Sequence, residues 1–218
     1  MGDRRMGDGA GLRTGREFWE EFYQDRDQVW TGNPNPLLVR EAVGLVVGTA
    51  LDLGCGEGGD AVWLARNGWR VTAVDVSATA LRRAGAHAAE EGVADRILFA
   101  EHDLAQSFPA GEFDLVSAQF FHSPVAQGDE RAKILRRAAE AVAVGGVLLI
   151  GLHAGWPSFM EHRHDVHFPT MDEVLDGLAF DGDEWRVETA DEVERVATGP
   201  EGQVGTRSDT ILRIRRLQ

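Results

Sequence analysis

TALDLGCGEGGDAVWLARNGWRVTAVD, residues 49–75, is the stretch on which the fold turns. Its first five residues, TALDL (49–53), and its last six, RVTAVD (70–75), are short β-branched or apolar runs that read as strands. Between them Asp60 to Asn67 has a helical pattern, closed by Gly68 where a helix C-terminus favours glycine. Strand, glycine turn, helix and strand in that order make one crossover unit.

The same alternation continues downstream. Further strand-like runs are ILFAE (97–101), FDLVSA (113–118) and GVLLIGL (146–152). Helical patterns run from Ser77 to Glu91, closed by Gly92, and from Glu130 to Val142, closed by Gly145 and Gly146. Thr170 with Glu173 forms a capping-box pattern for a helix reaching Leu178. EWRVETADEVERVA and TRSDTILRIRRL then read as two strands joined around Gly199 to Gly205, with no helix between them, so they pair antiparallel. The expected architecture is α/β: a Rossmann-like doubly wound sheet of about seven strands, mostly parallel with an antiparallel C-terminal edge hairpin, and helices on both faces.

Upstream, residues 1–15 are rich in Gly, Arg and Asp and read as a flexible arm. Phe18, Trp19, Phe22 and Tyr23 fall at helical spacing, an aromatic stripe whose expected job is packing. WTGNPNP is a rigid turn-rich loop, and Pro36 opens a helix through Glu41.

The chain has 218 residues, 43% hydrophobic and 27% charged, which suits one soluble domain with a real core. A formal charge of −14 repels phosphate backbones and anionic lipid, so nucleic-acid and membrane partners are not expected. The opening residues lack an apolar signal segment and no run of 18 apolar residues occurs, so a cytoplasmic location is expected. Cys55 is the single cysteine, which excludes an intrachain disulfide.

In such a sheet the first strand-to-helix turn commonly holds a nucleotide. LDLGCGEGGD satisfies GxGxxG with Gly54, Gly56 and Gly59, so a nicotinamide dinucleotide and an oxidoreductase stand as an alternative. Asp52 argues against that reading, because a carboxylate at the strand end repels a diphosphate and attracts a cation. Asp75, at the end of RVTAVD, can accept from both ribose hydroxyls of an adenosine ligand of either kind.

Asp52, Gly54, Gly56 and Gly58 also spell acid-x-Gly-x-Gly-x-Gly, and with them the sequence resembles the class I S-adenosylmethionine-dependent methyltransferases. The resemblance runs from about Trp30 to Leu152, and the loop WTGNPN is similar to one in the small-molecule and tellurite-resistance type. It implies S-adenosyl-L-methionine as cofactor, S-adenosyl-L-homocysteine as product, and a small-molecule methyl acceptor. It implies that Trp30 covers the cofactor and that Cys55 is a small residue beneath it. Asp103 would accept from the adenine amino group, with Leu104 and Val76 on the ring faces, and Ala118 and Gln119 would lie near the methionine moiety. It divides the single domain, 16–218, into N-terminal helices and lid (16–48), cofactor-binding core (49–152) and an acceptor-side loop, helix and hairpin (153–218). A protein that binds the cofactor without transferring its methyl group is the other alternative.

His122 and His153 lie just past the fourth and fifth strands, where an acceptor belongs, and either suits a general base. EHRHDVHF (161–168) gathers His162, His164 and His167 with Glu161 and Asp165. Its spacing is not that of a helical metal motif, so no metal is assigned and the segment reads as a loop, acceptor-facing or solvated.

Overall fold

Strand β1 (Thr49–Leu53) lies inside a seven-stranded sheet, paired in parallel with β2 (Arg70–Asp75) on one side and β4 (Phe113–Gln119) on the other. The computed structural model describes residues 13–160, 166–180, 182–199 and 202–218. Beyond β2 lies β3 (Ile97–Glu101), and beyond β4 lies β5 (Val142–His153), both parallel. The last two strands, β6 (Trp185–Thr198) and β7 (Val204–Arg216), form the expected antiparallel hairpin. Its second strand is inserted next to β5, giving the order β3-β2-β1-β4-β5-β7-β6. The order reverses direction between β1 and β4, which opens a crevice at the carboxyl ends of those strands.

The central strands read as unbroken apolar runs because both of their faces are covered. Leu148, Leu149 and Ile150 are consecutive and fully buried. Leu148 and Ile150 join Leu212 and Ile214 against Ile134 and Leu135 of α5 (Glu130–Glu140) and Val174 of α6 (Met171–Leu178). Leu149 and Ile211 face the other way, with Leu38 of α2 (Pro36–Ala42), Leu64 of α3 (Gly59–Arg66) and Ala88 of α4 (Ala78–Glu90). Each fully buried Leu or Ile contributes about 1.5–3 kcal/mol, so the two layers supply most of the favourable free energy.

Two boundaries differ from the sequence reading. Helix α5 ends at Glu140, short of Val142 and far from Gly145 and Gly146, which lie within β5 instead of capping a helix. Val142 pairs with Phe113, and the register then shifts before Leu115 pairs with Val147, so the two strands absorb an irregularity. Gly145 has φ +82°, and a Cβ at Gly146 would stand 2.8 Å from the Ala143 carbonyl oxygen, so these glycines serve a strand bulge. At the other end, helix α1 (Gly15–Gln24) begins inside the stretch assigned to a flexible arm. Thr14 accepts from the Glu17 amide while the Glu17 carboxylate accepts from Thr14, a full capping box. Residues 1–12 of that arm lie outside the described residues.

Candidate active site

A cavity of about 660 Å³ opens at the carboxyl ends of the strands, within the range of small-molecule sites. Its floor is the glycine turn after β1. Gly54, Gly56 and Gly58 all adopt left-handed backbone, with φ of +69°, +53° and +85°. That conformation lets Gly54 N–H and Cys55 N–H both reach the Val74 carbonyl of β2, at 2.8 and 2.9 Å. A Cβ at Gly56 would stand 2.9 Å from Tyr23 Oη and 3.2 Å from Trp30 Nε1, so the turn is roofed closely by the N-terminal segment.

The roof is held by the acids of the motif itself. Glu57 accepts from the Val29 and Trp30 amides and pairs with Arg83 at 2.9 Å. Asp60 accepts from the Asn35 amide at 2.6 Å and its side chain at 2.8 Å. Helix α1 is docked by Glu20, which accepts from Ser77 Oγ, Thr79 Oγ1 and the Thr79 amide. Burial opposes ionisation of Glu20, but hydrogen bonds from Thr79, Ser77 and Gln24 outweigh it and bring its pKa down to about 2. Phe18, Trp19 and Phe22 of α1 consequently line the cavity, and of the aromatic stripe only Tyr23 is buried. Packing is therefore an incomplete account of those aromatics, whose helical spacing carries no sign of which partner they face.

Three carboxylates meet at the floor. Asp52 is 2% exposed and its Oδ2 has no hydrogen-bond partner among the described residues. Burial, with the charges of Asp60 and Asp75 added, pushes its carboxyl well above the usual range. Asp75 accepts from the Gly56 and Ser77 amides, both at 2.9 Å, and burial still raises it. A carboxylate offers about four acceptor sites, so these bonds and a further one from the Val76 backbone leave room for a ligand hydroxyl. Burial likewise pushes the Cys55 thiol up, with Asp75 next in effect, so it is no thiolate nucleophile.

The remaining candidates take their places around this floor. Val76, Asp103 and Leu104 line the cavity beside β2 and β3, and Asp103 already accepts from Ala105 N–H and Gln106 Nε2. Trp30 lines it too, 53% exposed, donating from Nε1 to Tyr23 Oη at 3.1 Å. Gln119 reaches it from β4, its Oε1 without a hydrogen-bond partner among the described residues. Two of the predicted residues do not line it. Ala118 points into the apolar core beneath, and Gly58 is closed off by Ala84 of α4, whose Cβ lies 2.9 Å from where its own would be.

At the far end, His122 and His153 both line the cavity, with ring centroids 6.3 Å apart. They are differently held. His122 is exposed and contacts the Phe120 carbonyl through Nδ1 at 2.7 Å. His153 stacks on Phe120 and contacts Asp209 Oδ1 through Nδ1 at 2.8 Å. Burial would raise the Asp209 carboxyl, but hydrogen bonds from His153 and Arg195 reverse that and hold it below the ordinary range. An ionised carboxylate only accepts, so the proton of this bond sits on His153 Nδ1 and the lone pair on Nε2. Burial pulls His153 below its ordinary pKa, against the Asp209 hydrogen bond, with Arg207 and His122 adding to the lowering. The site thus presents an oriented, neutral imidazole. Asp209, Arg195 and Arg207 carry no sequence motif, and only strand register reveals them: His153 lies opposite Asp209, and Arg195 opposite Arg207.

Glu161, His162, His164 and Asp165 of the histidine-rich stretch lie outside the described residues. His167 pairs with Glu173 at 3.0 Å, and no cluster of metal-ligating side chains occurs among the described residues. No described helix is long and apolar enough to cross a membrane.

Residues 50–146 match the family described as "Methyltransferase domain". A 2-heptyl-1-hydroxyquinolin-4(1H)-one methyltransferase of Mycobacteroides abscessus is 30% identical over 149 residues, 66% of this chain and 64% of that protein. The chain thus spans just under two thirds of that relative's length. Among solved structures, one described as "Conversion of a Disulfide Bond into a Thioacetal Group during Echinomycin Biosynthesis" superposes with a TM-score of 0.69 at 24% identity, covering 92% of both chains. TehB from Haemophilus influenzae superposes with a TM-score of 0.64 at 17% identity, covering 90% of this chain and 66% of that one. These structural likenesses speak to the fold. The matched residues, 50–146, hold the acid and glycine turn at the tip of β1 and the strands around it, so this part of the chain is similar to a methyltransferase domain.

Proposed function

We propose that the protein transfers a methyl group from S-adenosylmethionine to a small-molecule acceptor inside this cavity. The observation that carries the reading is the continuity of one cavity from the buried, unsatisfied Asp52 at β1 to the oriented His153 at β5. The floor suits the cofactor: Asp52 offers an oxygen without a partner to a cationic group, Asp75 offers hydroxyl acceptors, and the glycine turn allows close approach of a nucleoside. When bound, S-adenosylmethionine supplies an electrophilic methyl carbon, and sulfur keeps the electron pair of the bond that breaks.

This chain's own residues do the rest. The α1 aromatics and Trp30 roof the cavity and limit water, and its walls restrict the acceptor's approach, an effect of proximity and orientation. A neutral hydroxyl, amine or thiol loses one proton as its new bond to carbon forms, and His153 Nε2 takes that proton while Asp209 fixes the ring. The matched quinolone relative is named for a small organic acceptor, and the net charge of −14 disfavours a nucleic acid. The proton acceptor at β5 also favours transfer over simple cofactor storage.

Thermal melting with S-adenosylhomocysteine and with NADH separates this from the dinucleotide alternative. Stabilisation of about 2.7 kcal/mol is expected with the former at 100 times its dissociation constant, and a response to NADH alone overturns the proposal. Gly56→Ala tests the floor. Left-handed backbone at a non-glycine residue costs about 1–2 kcal/mol, and the new Cβ must displace Tyr23 or Trp30. Denaturant melting should show that loss, and calorimetry should show S-adenosylhomocysteine bound at least ~10-fold more weakly, a loss of about 1.4 kcal/mol or more.

A further inference from the structure

The cavity is electrically two-ended. Asp52 and Asp75 stand at the tips of β1 and β2, while Arg195 and Arg207 line the cavity from the β6–β7 hairpin. β7 is three strands from β1 in the sheet, roughly 14 Å at 4.8 Å per strand. One end suits a cation. The other has the opposite character in a protein of net charge −14.

Among the described residues, no hydrogen bond removes the cost at which the basic end is built. Arg195 and Arg207 are directly opposite in register, an arrangement that is destabilising for like charges unless something lies between them. What lies between is Asp209, two residues from Arg207 on the same strand face and fully buried. Asp209 is already used: Oδ2 accepts from Arg195 Nε and Oδ1 accepts from His153. Arg207 Nε is left 3.8 Å from Oδ1, beyond hydrogen-bond range, and buried with no partner among the described residues. Among the described residues, the two guanidinium groups and one carboxylate of this cluster leave one positive charge beside His153. A buried donor without an acceptor costs free energy until a ligand supplies one.

We infer that the methyl acceptor is an organic acid, whose carboxylate is received by Arg207, with Arg195 beside it, while its nucleophilic atom faces His153. This rests on the proposed methyl transfer and names its substrate class. One unit of excess charge matches a monoanion, and a guanidinium edge with free N–H groups fits the two oxygens of a carboxylate. Asp209 thus has two tasks: it orients His153 and it spaces the two arginines. Arg131 of α5 also lines the cavity, its Nε and Nη2 without a hydrogen-bond partner among the described residues, and it provides the control for the location of the site.

The test uses two matched pairs, 3-hydroxybenzoate against phenol and 3-mercaptopropionate against propanethiol, titrated by calorimetry into the full chain with and without S-adenosylhomocysteine. The acids should bind about 10- to 100-fold more tightly than their neutral partners, the range of one charge-assisted contact, and added salt should narrow the gap. Arg207→Gln should bring each pair within about twofold, and Arg207→Lys, which keeps the charge without the paired N–H edge, should restore only part of the preference. S-adenosylhomocysteine affinity should hold in both variants. Arg207→Gln should also melt no lower than the parent, because the burial of its guanidinium and the repulsion from Arg195 together outweigh its attraction to Asp209, whereas a structural arginine would melt lower. Equal binding of acids and neutral partners by the parent overturns the inference, as does a preference that survives Arg207→Gln or is lost only in Arg131→Gln. Failure of S-adenosylhomocysteine to bind sinks the methyltransferase proposal instead, and the titrations without it still read the acid site.

Discussion

His153→Ala should lower kcat by about 10²- to 10⁴-fold for a neutral hydroxyl, amine or thiol acceptor, the usual contribution of a positioned general base. That corresponds to about 2.7–5.4 kcal/mol of transition-state stabilisation. S-adenosylhomocysteine affinity should stay within about twofold, because the Asp52 and Asp75 floor lies across the cavity from β5. The pH profile gives a second reading. Only neutral His153 accepts a proton, and burial has moved its pKa below 6.5, so kcat/KM should rise with pH through that lowered value and level off near neutrality. The groups facing the ring set that position: Asp209 raises it, while Arg207 and His122 lower it, and Phe120 covers one face. Asp209→Asn removes the carboxylate that fixes the tautomer, so it should lose turnover in the same direction. A fully active His153→Ala enzyme with an unaltered pH profile would remove His153 from the chemistry.

The contrast between the two histidines shows where sequence reasoning reaches its limit. In the sequence both read as standing just past a strand end, although His153 is the last residue of β5, and nothing local separates HSP from HAG. The difference is made by Asp209, 56 residues away on a strand that folds back beside β5. Local patterns carried the parallel core well: glycine turns, strand runs and helix caps are written in neighbouring residues, and β1, β2 and α4 fall where the pattern puts them. The error at Gly145 and Gly146 has the same origin, since a helix C-cap and a strand bulge call for the same residue and only pairing with β4 decides between them. Glu57 and Asp60 make the point from the other side. They sit within the motif yet serve the roof, holding Trp30 and Asn35 in place, a role that depends on a loop some 25 residues upstream.

Asp52→Asn should move stability and affinity in opposite directions. In the protein without ligand, Asp52 is a buried carboxyl beside Asp60 and Asp75 with an unsatisfied oxygen, and burial keeps its pKa well above 3.8. The native state therefore holds a proton that the unfolded chain releases, so stability from this group falls as pH rises above 3.8. An amide of the same shape removes that loss, and the variant should melt several degrees higher at neutral pH without ligand. Binding runs the other way. A cationic sulfonium or ammonium group is favoured by the ionised carboxylate, so S-adenosylmethionine affinity should fall about 10- to 100-fold in Asp52→Asn, matching loss of a buried charge-assisted contact. The parent should bind S-adenosylmethionine more weakly as pH falls through the raised pKa, because the proton competes with the cation for the same oxygen. Asp52→Asn should show no such slope. Calorimetry at several pH values, in two buffers of different ionisation enthalpy, reads proton release on binding directly. A parent that binds without releasing a proton, and a variant that binds equally well, would show that Asp52 shapes the β1 turn and takes no part in recognising the cofactor's charge.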